Sequence, residues 1–293
     1  AVLATSMKVG ASVCASSGFN ALKFLDLARL EKITWYSGVP TMHQAILLRA
    51  NKNKEAAKKL NLRLIRSSSA SLPPAVFKDL NEAFNCPVIE AYGMTEATHQ
   101  MTSNPLPPKQ QKAGFVGLPA GPEVCIMSEN GDMMKQGEEG EVCIKGENVT
   151  LGYENNEEAN KTSFTNGWFR TGDQGYFDED GYLKISGRLK EIINKGGEKI
   201  SPLEVDNVLM DHPSIDQAVC FGYEDKMLGE NIASAIIIKS GEMCSEEDVL
   251  KYAQEKLAKF KIPKKIFFVD EIPKGATGKL QRNVLAKKFG LSS

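Results

Sequence analysis

No apolar run in this 293-residue chain reaches the roughly 18 residues needed to cross a bilayer, and no cysteine stands in a CxxC pair. The first absence excludes a transmembrane helix. The second argues against zinc, because Cys14, Cys86, Cys125, Cys143, Cys220 and Cys244 are widely scattered, as expected of reduced thiols packed as small core hydrophobes in a cytosol-like compartment. Charge imbalance is missing too, with 36 basic against 37 acidic side chains and a net charge of -1. Neither nucleic acid nor an acidic surface is therefore an expected partner, and binding has to come from local sites. No internal repeat or low-complexity tract is present, the start has no signal-peptide pattern, and Gly290-Leu-Ser-Ser293 is not an SKL-type address. A peroxisomal location stays open only for a longer parent.

At 42% hydrophobic, the chain can bury a substantial core, and its size suggests roughly two domains. Its first stretch alternates short apolar runs with amphipathic ones, the rhythm of an α/β layer structure. Helices are expected over 21–30, 40–49 and 73–84, the last with proline in its first turn, and strands over 33–36, 62–66 and 88–91. The second of these strands runs into the turn Ser67-Ser-Ser-Ala-Ser-Leu72, and the sheet they imply is incomplete. From about Gly114 to Ser186 the pattern changes to short strands punctuated by Gly, Asn and Asp, including 141–145, 168–170 and a hairpin around 178–181. That predicts a small β-barrel subdomain. Strands over 218–221 and 233–238 and a helix over 246–259 then predict a compact α+β module. The expected boundaries are 1–111 for a partial α/β subdomain, 112–187 for the barrel and 188–293 for a mobile C-terminal domain.

Five short segments carry the chemistry: Tyr92-Gly-Met-Thr-Glu96, Gly167-Trp-Phe-Arg-Thr-Gly-Asp173, Gly187-Arg-Leu-Lys190, Lys195-Gly-Gly-Glu-Lys-Ile-Ser-Pro202 and Pro273-Lys-Gly-Ala-Thr-Gly-Lys279. In order and spacing the set resembles the adenylate-forming superfamily of acyl-CoA synthetases, plant-type 4-coumarate ligases and luciferases. The resemblance implies an AMP-forming acid-thiol ligase that uses ATP, Mg2+ and coenzyme A. It also implies a Ser/Thr/Gly-rich phosphate loop closing in Pro-Lys, which does not occur between Ala1 and Tyr92. The chain therefore reads as the C-terminal part of such an enzyme, inactive by itself; a truncated nucleotide- or CoA-binding fragment is the non-catalytic alternative.

Thr95 and Glu96 follow the strand at 88–91, where a hydroxyl beside a carboxylate can hold a phosphate oxygen and a magnesium ion together. The resemblance implies those roles, puts Tyr92 against adenine, and places Ser69, Ala70, Ser71, Gly93 and Met94 along the nucleotide. Asp173, next to Gly172 in what reads as a loop, can accept from both ribose hydroxyls, and Arg188 can supply a second ribose contact or approach the phosphates. A lone loop aspartate is otherwise a cap or turn residue. The resemblance makes Lys279 the cation bridging the acid and the α-phosphate, Lys190 the hinge between two working geometries, and Gly196 and Gly197 the lining of the pantetheine channel. On the residues alone the two glycines are equally a hairpin turn, and Lys190 an exposed linker cation. Gly275 to Lys279 is not a Walker loop, since it is too short and Leu280 stands where Ser or Thr is needed.

Ser67 to Leu72 and Glu90 to Pro107 resemble the oxalate-CoA ligase group of plants and fungi more closely than other members. A small dianion needs donors where an acyl chain needs apolar walls. The resemblance makes Ser69 and His99 the pocket donors for a small carboxylic acid, oxalate in the first place, with a further histidine expected upstream of this chain. His99 as a helix cap is the bland alternative, and a medium-chain fatty acid or 4-coumarate-type ligase the functional one. Gly93 stands where that group often has alanine, and it is expected to widen the pocket.

Overall fold

The computed structural model describes residues 2–275 and 280–291. Two compact units emerge, Ala1–Thr171 with Gly175–Ile185, and Gly172–Gln174 with Ser186–Ser293.

In the first unit, α1 (Val2–Lys8) and α2 (Ala21–Leu30) precede β1 (Trp35–Gly38), α3 (Pro40–Lys52), α4 (Lys54–Lys58), β2 (Leu64–Ser68), α5 (Pro74–Phe84) and β3 (Val88–Tyr92). Asn20 starts α2, its side-chain oxygen accepting the backbone N–H groups of Leu22 and Lys23 in the first turn. Prolines open α3 and α5, and Asn85 at φ 50° closes α5 in the left-handed conformation that ends helices. Phe77, Leu80 and Phe84 of α5, with Ile46, Leu47 and Ala50 of α3, bury a helical stripe against Ile65 and Val88. β1, β2 and β3 pair in parallel, with Ile65 between Tyr36 and Val88. The first strand begins two residues later than expected, at Trp35, although the Thr34 carbonyl just before it already accepts the Arg63 N–H at 2.7 Å.

β4 (Thr102–Ser103) and β5 (Leu118–Pro119) extend that sheet antiparallel. β6 (Glu123–Met127), β7 (Gly140–Lys145), α6 (Glu157–Ser163), β8 (Phe164–Thr165), β9 (Trp168–Phe177) and β10 (Leu183–Arg188) follow. Their strands make a second sheet in the order β10-β9-β7-β6, with β8 on β9. At Gly117, φ +89°, an added Cβ would stand 2.0 Å from the backbone of Ser103, so only glycine lets these segments meet.

The second unit continues with β11 (Ile193–Lys195), β12 (Glu198–Ile200), α7 (Pro202–Met210), β13 (Ile215–Asp225), β14 (Gly229–Ile238), α8 (Glu246–Lys256), β15 (Lys265–Phe268) and α9 (Leu285–Lys288). Beyond an irregularity at Ile215–Gln217, β13 alternates: Ala218 and Cys220 face a core with α7 and α8, while Val219, Phe221 and Tyr223 face Ile272 and Leu285. A reciprocal Ser245–Asp248 capping box starts α8. The helix stops at Lys256, three residues short of expectation, because Leu257 turns extended and is buried. No helix among the described residues is long and apolar enough to cross a membrane.

Candidate active site

The period-two alternation of β2 puts Arg66 and Ser68 on the face opposite buried Ile65 and Ser67. Just beyond, Ser69 takes a left-handed φ of 75°, an uncommon conformation for a residue with a side chain. His99, also left-handed at φ 61°, is held there by its backbone N–H donating to the Met94 carbonyl at 2.9 Å. Together with Ser37 at the end of β1, and with Gly93, these residues line an open cleft of about 350 Å3, to which Val2 and Leu3 also contribute. The expected donors Ser69 and His99 therefore line the same cleft. Ala70 and Ser71 continue the same loop, the first exposed and the second half-buried.

Gly93 does not widen this cleft. A Cβ there would lie 2.5 Å from the backbone carbon and oxygen of His99, so the missing side chain is what allows the 99–100 backbone to close in.

Arg66 escaped the sequence reading. Its Nη1 donates to Ser68 Oγ at 2.9 Å and to Ser37 Oγ at 3.2 Å, and burial lowers its pKa. The available signal was a charged residue next to the serine-rich turn, at the end of the strand expected over 62–66. His43 is different: it is fully buried in α3 beside the Tyr36 hydroxyl at 3.2 Å, and burial pulls it down to about 4, which keeps it neutral.

Tyr92 ends β3, half-buried beside Met94 against Ala97, Met101 and Phe169. Thr95 and Glu96 occupy the short 3-10 turn Thr95–Ala97, the hydroxyl exposed and the carboxylate half-buried. The Tyr153 hydroxyl donates to Glu96 Oε1 at 2.9 Å, and the Thr150 N–H donates to the Glu96 carbonyl at 2.7 Å. Desolvation and the bond to Glu96 raise the Tyr153 pKa, so the phenol stays a donor and fixes one carboxylate oxygen. Tyr153 lies 57 residues away and had no sequence signal. The donor set fits magnesium, which keeps most of its waters and takes one or two carboxylates plus phosphate oxygens. It does not form an all-protein metal cage, since no group of three or more His, Cys, Asp and Glu side chains clusters among the described residues.

Asp173 is not on a loop. It lies inside β9, 5% exposed, and β9 runs to Phe177 instead of stopping at 170 because the left-handed Gly172, φ 74°, is absorbed within the strand. The Arg188 Nε donates to Asp173 Oδ1 at 2.9 Å, so the two residues expected at the ribose meet each other. Lys190 is exposed in the turn Leu189–Glu191. Gly196 and Gly197, with φ of 60° and 93°, form the two-residue turn between β11 and β12. Positive φ at both positions is what such a hairpin demands, and this accounts for the glycines without any ligand. Lys279 lies outside the described residues.

Helix-flanked parallel strands, a serine-rich strand end facing a polar cleft, and a hydroxyl-carboxylate pair following the next strand define an adenylate-forming fold. Residues 1–154 match the model of the AMP-binding enzyme family and residues 204–279 that of the AMP-binding enzyme C-terminal domain. The chain belongs to the AMP-binding enzyme family. It is 50% identical to an oxalate-CoA ligase of Arabidopsis thaliana, over 98% of this chain and 56% of the relative. It is 48% identical to an oxalate-CoA ligase of Saccharomyces cerevisiae, over 100% of this chain and 53% of the relative. Among solved structures, ATP-bound MatB from Rhodopseudomonas palustris superposes with a TM-score of 0.90 at 31% identity, covering 98% of this chain and 57% of MatB. The chain thus spans about half the length of the curated relatives it matches.

Proposed function

We propose that the whole protein carrying this chain is an ATP-dependent acid-CoA ligase whose acid is oxalate. One carboxylate oxygen attacks the α-phosphorus of ATP and expels pyrophosphate; the CoA thiol, giving up its proton, then attacks the acyl carbon and AMP leaves. The observation that carries this reading is the polar lining of the cleft, where Ser37, Arg66, Ser68, Ser69 and His99 outnumber the two apolar side chains, Val2 and Leu3. An acyl chain buried there would meet donors it cannot use, whereas each carboxylate oxygen of a dianion can accept several. The names of the plant and yeast relatives point the same way.

In this reading Thr95 and Glu96 hold the phosphate side of the nucleotide, with Mg2+ supplying charge neutralisation there when bound. Asp173 and Arg188 serve the ribose and Tyr92 the adenine. Lys279 steadies the charge that develops during adenylation. Lys190 is the hinge, and Gly196 and Gly197 admit the pantetheine arm of CoA. Supplying the whole protein with oxalate, malonate, acetate, octanoate and 4-coumarate tests the acid. The highest kcat/KM is expected for oxalate, and a preference for octanoate or 4-coumarate leaves only the acid-CoA ligase class standing.

The missing phosphate loop favours a second reading for the chain by itself, that of an inactive nucleotide- or CoA-binding fragment. Purified alone, it is expected to catalyse no acid-dependent pyrophosphate exchange. A rate well above that of an enzyme-free control would show that the loop is dispensable.

A further inference from the structure

We propose that Arg66 is the specificity-determining residue of the cleft, its guanidinium receiving the carboxylate that is not activated and so restricting the site to small dianions. This deepens the acid-CoA ligase reading and rests on it. Arg66 sits on the cleft face of β2, with Nη1 committed to Ser37 Oγ at 3.2 Å and Ser68 Oγ at 2.9 Å. Those bonds orient the guanidinium plane. A guanidinium carries five N–H donors, so Nε and Nη2 are left over, and each serine that accepts from Nη1 keeps its own hydroxyl proton to donate. A guanidinium anchored in this way, with two serine hydroxyls beside it in the cleft lining, offers a carboxylate both charge and donors.

The charge balance points to the same occupant. Among the described residues no carboxylate pairs with Arg66, and no Asp or Glu lines the cleft. A partly desolvated cation without a counter-ion is costly, and an external anion removes that cost. A fatty acid would press its chain against the guanidinium. A monocarboxylate that presents its single carboxylate for activation has no charge left to offer there. The competing role for Arg66 is purely structural, tying β1 to β2 through the two serines, and that role would not distinguish one acid from another.

The test uses the whole protein with Arg66→Met and Arg66→Lys. Losing a charge-assisted hydrogen bond to a buried carboxylate is expected to raise the KM for oxalate on the order of ten- to a hundredfold with Arg66→Met. The oxalate-to-acetate ratio of kcat/KM should fall with it, without a matching rise in the KM for ATP, and Arg66→Lys should recover part of the loss. An oxalate preference that survives Arg66→Met unchanged overturns this inference and leaves the function intact. A preference of the unmutated enzyme for octanoate or 4-coumarate overturns both. Should Arg66→Met fail to fold, the unmutated enzyme decides: oxamate, which replaces one carboxylate of oxalate with a neutral amide, should compete at least about tenfold more weakly than oxalate. Equal competition by the two overturns the proposal.

Discussion

Replacing Glu90 by glutamine tests whether the floor of the serine loop depends on a protonated carboxyl. Glu90 lies in β3 opposite Ser67 of β2 and is 2% exposed. Its Oε1 accepts the Leu72 N–H at 2.9 Å, while Oε2 and the Ser67 hydroxyl are buried without hydrogen-bond partners among the described residues. Burial pushes Glu90 up to about 8, and the bond from Leu72 opposes this only in part. A carboxyl with a raised folded-state pKa stabilises fully below its unfolded value near 4.5, and that stability drains away as pH rises towards about 8. The limiting slope is about 1.4 kcal/mol per pH unit, so the whole window amounts to a few kcal/mol. Glutamine has the same shape and nothing to ionise. The melting temperature of Glu90→Gln minus that of the unmutated protein is therefore expected to be near zero or slightly negative at pH 5, to climb towards pH 8, and to level off above it. Taking the difference cancels the titration of every other group. Because Leu72 closes the loop that bears Ser69, the KM for the acid should rise with pH over the same window in the unmutated protein only. Parallel melting curves across the whole range would show that Glu90 ionises normally and refute the argument.

In the whole protein, His99→Ala should leave ATP binding nearly unchanged and weaken oxalate by roughly 1.5 to 3 kcal/mol, measured as a rise in its KM. Octanoate, whose methylenes contribute about 0.8 kcal/mol each on burial, would hardly respond. Lys279→Ala should slow adenylation on the order of a hundredfold, about 3 kcal/mol, yet spare thioester formation from a supplied acyl-adenylate. Equal damage to both half-reactions would indicate a folding defect. Gly117→Ala puts a Cβ 2.0 Å from the Ser103 backbone at a φ of +89°, and about 3 kcal/mol or more of lost stability is expected in thermal unfolding. A variant that melts with the unmutated protein would mean that the strand-edge segments can separate at no cost.

What was legible in the sequence is what short-range chemistry encodes. The helix at Ala21–Leu30, the proline that starts α5, and the strands at Val88–Tyr92 and Gly140–Lys145 follow from periodicity and local sterics. Each involves neighbours within one or two turns of chain, so their signals survive without knowledge of the fold. The ordered motifs were legible for the same reason, since each is a contiguous peptide. The decisive pairings of the site lie elsewhere. Arg66 meets Ser37 across 29 residues through the parallel register of β1 and β2, and Tyr153 reaches Glu96 across 57. Glu90 owes its neutrality to burial, and Gly93 its role to the backbone of His99 folding over it. No composition or spacing reports such contacts, because sheet register and loop closure create them only when the distant segments pack. Sequence alone determined the family and the residue types available for the chemistry. Tertiary structure decided which side chains share the cleft, which carboxylate is held by a phenol or a guanidinium, and which glycine brings two segments together.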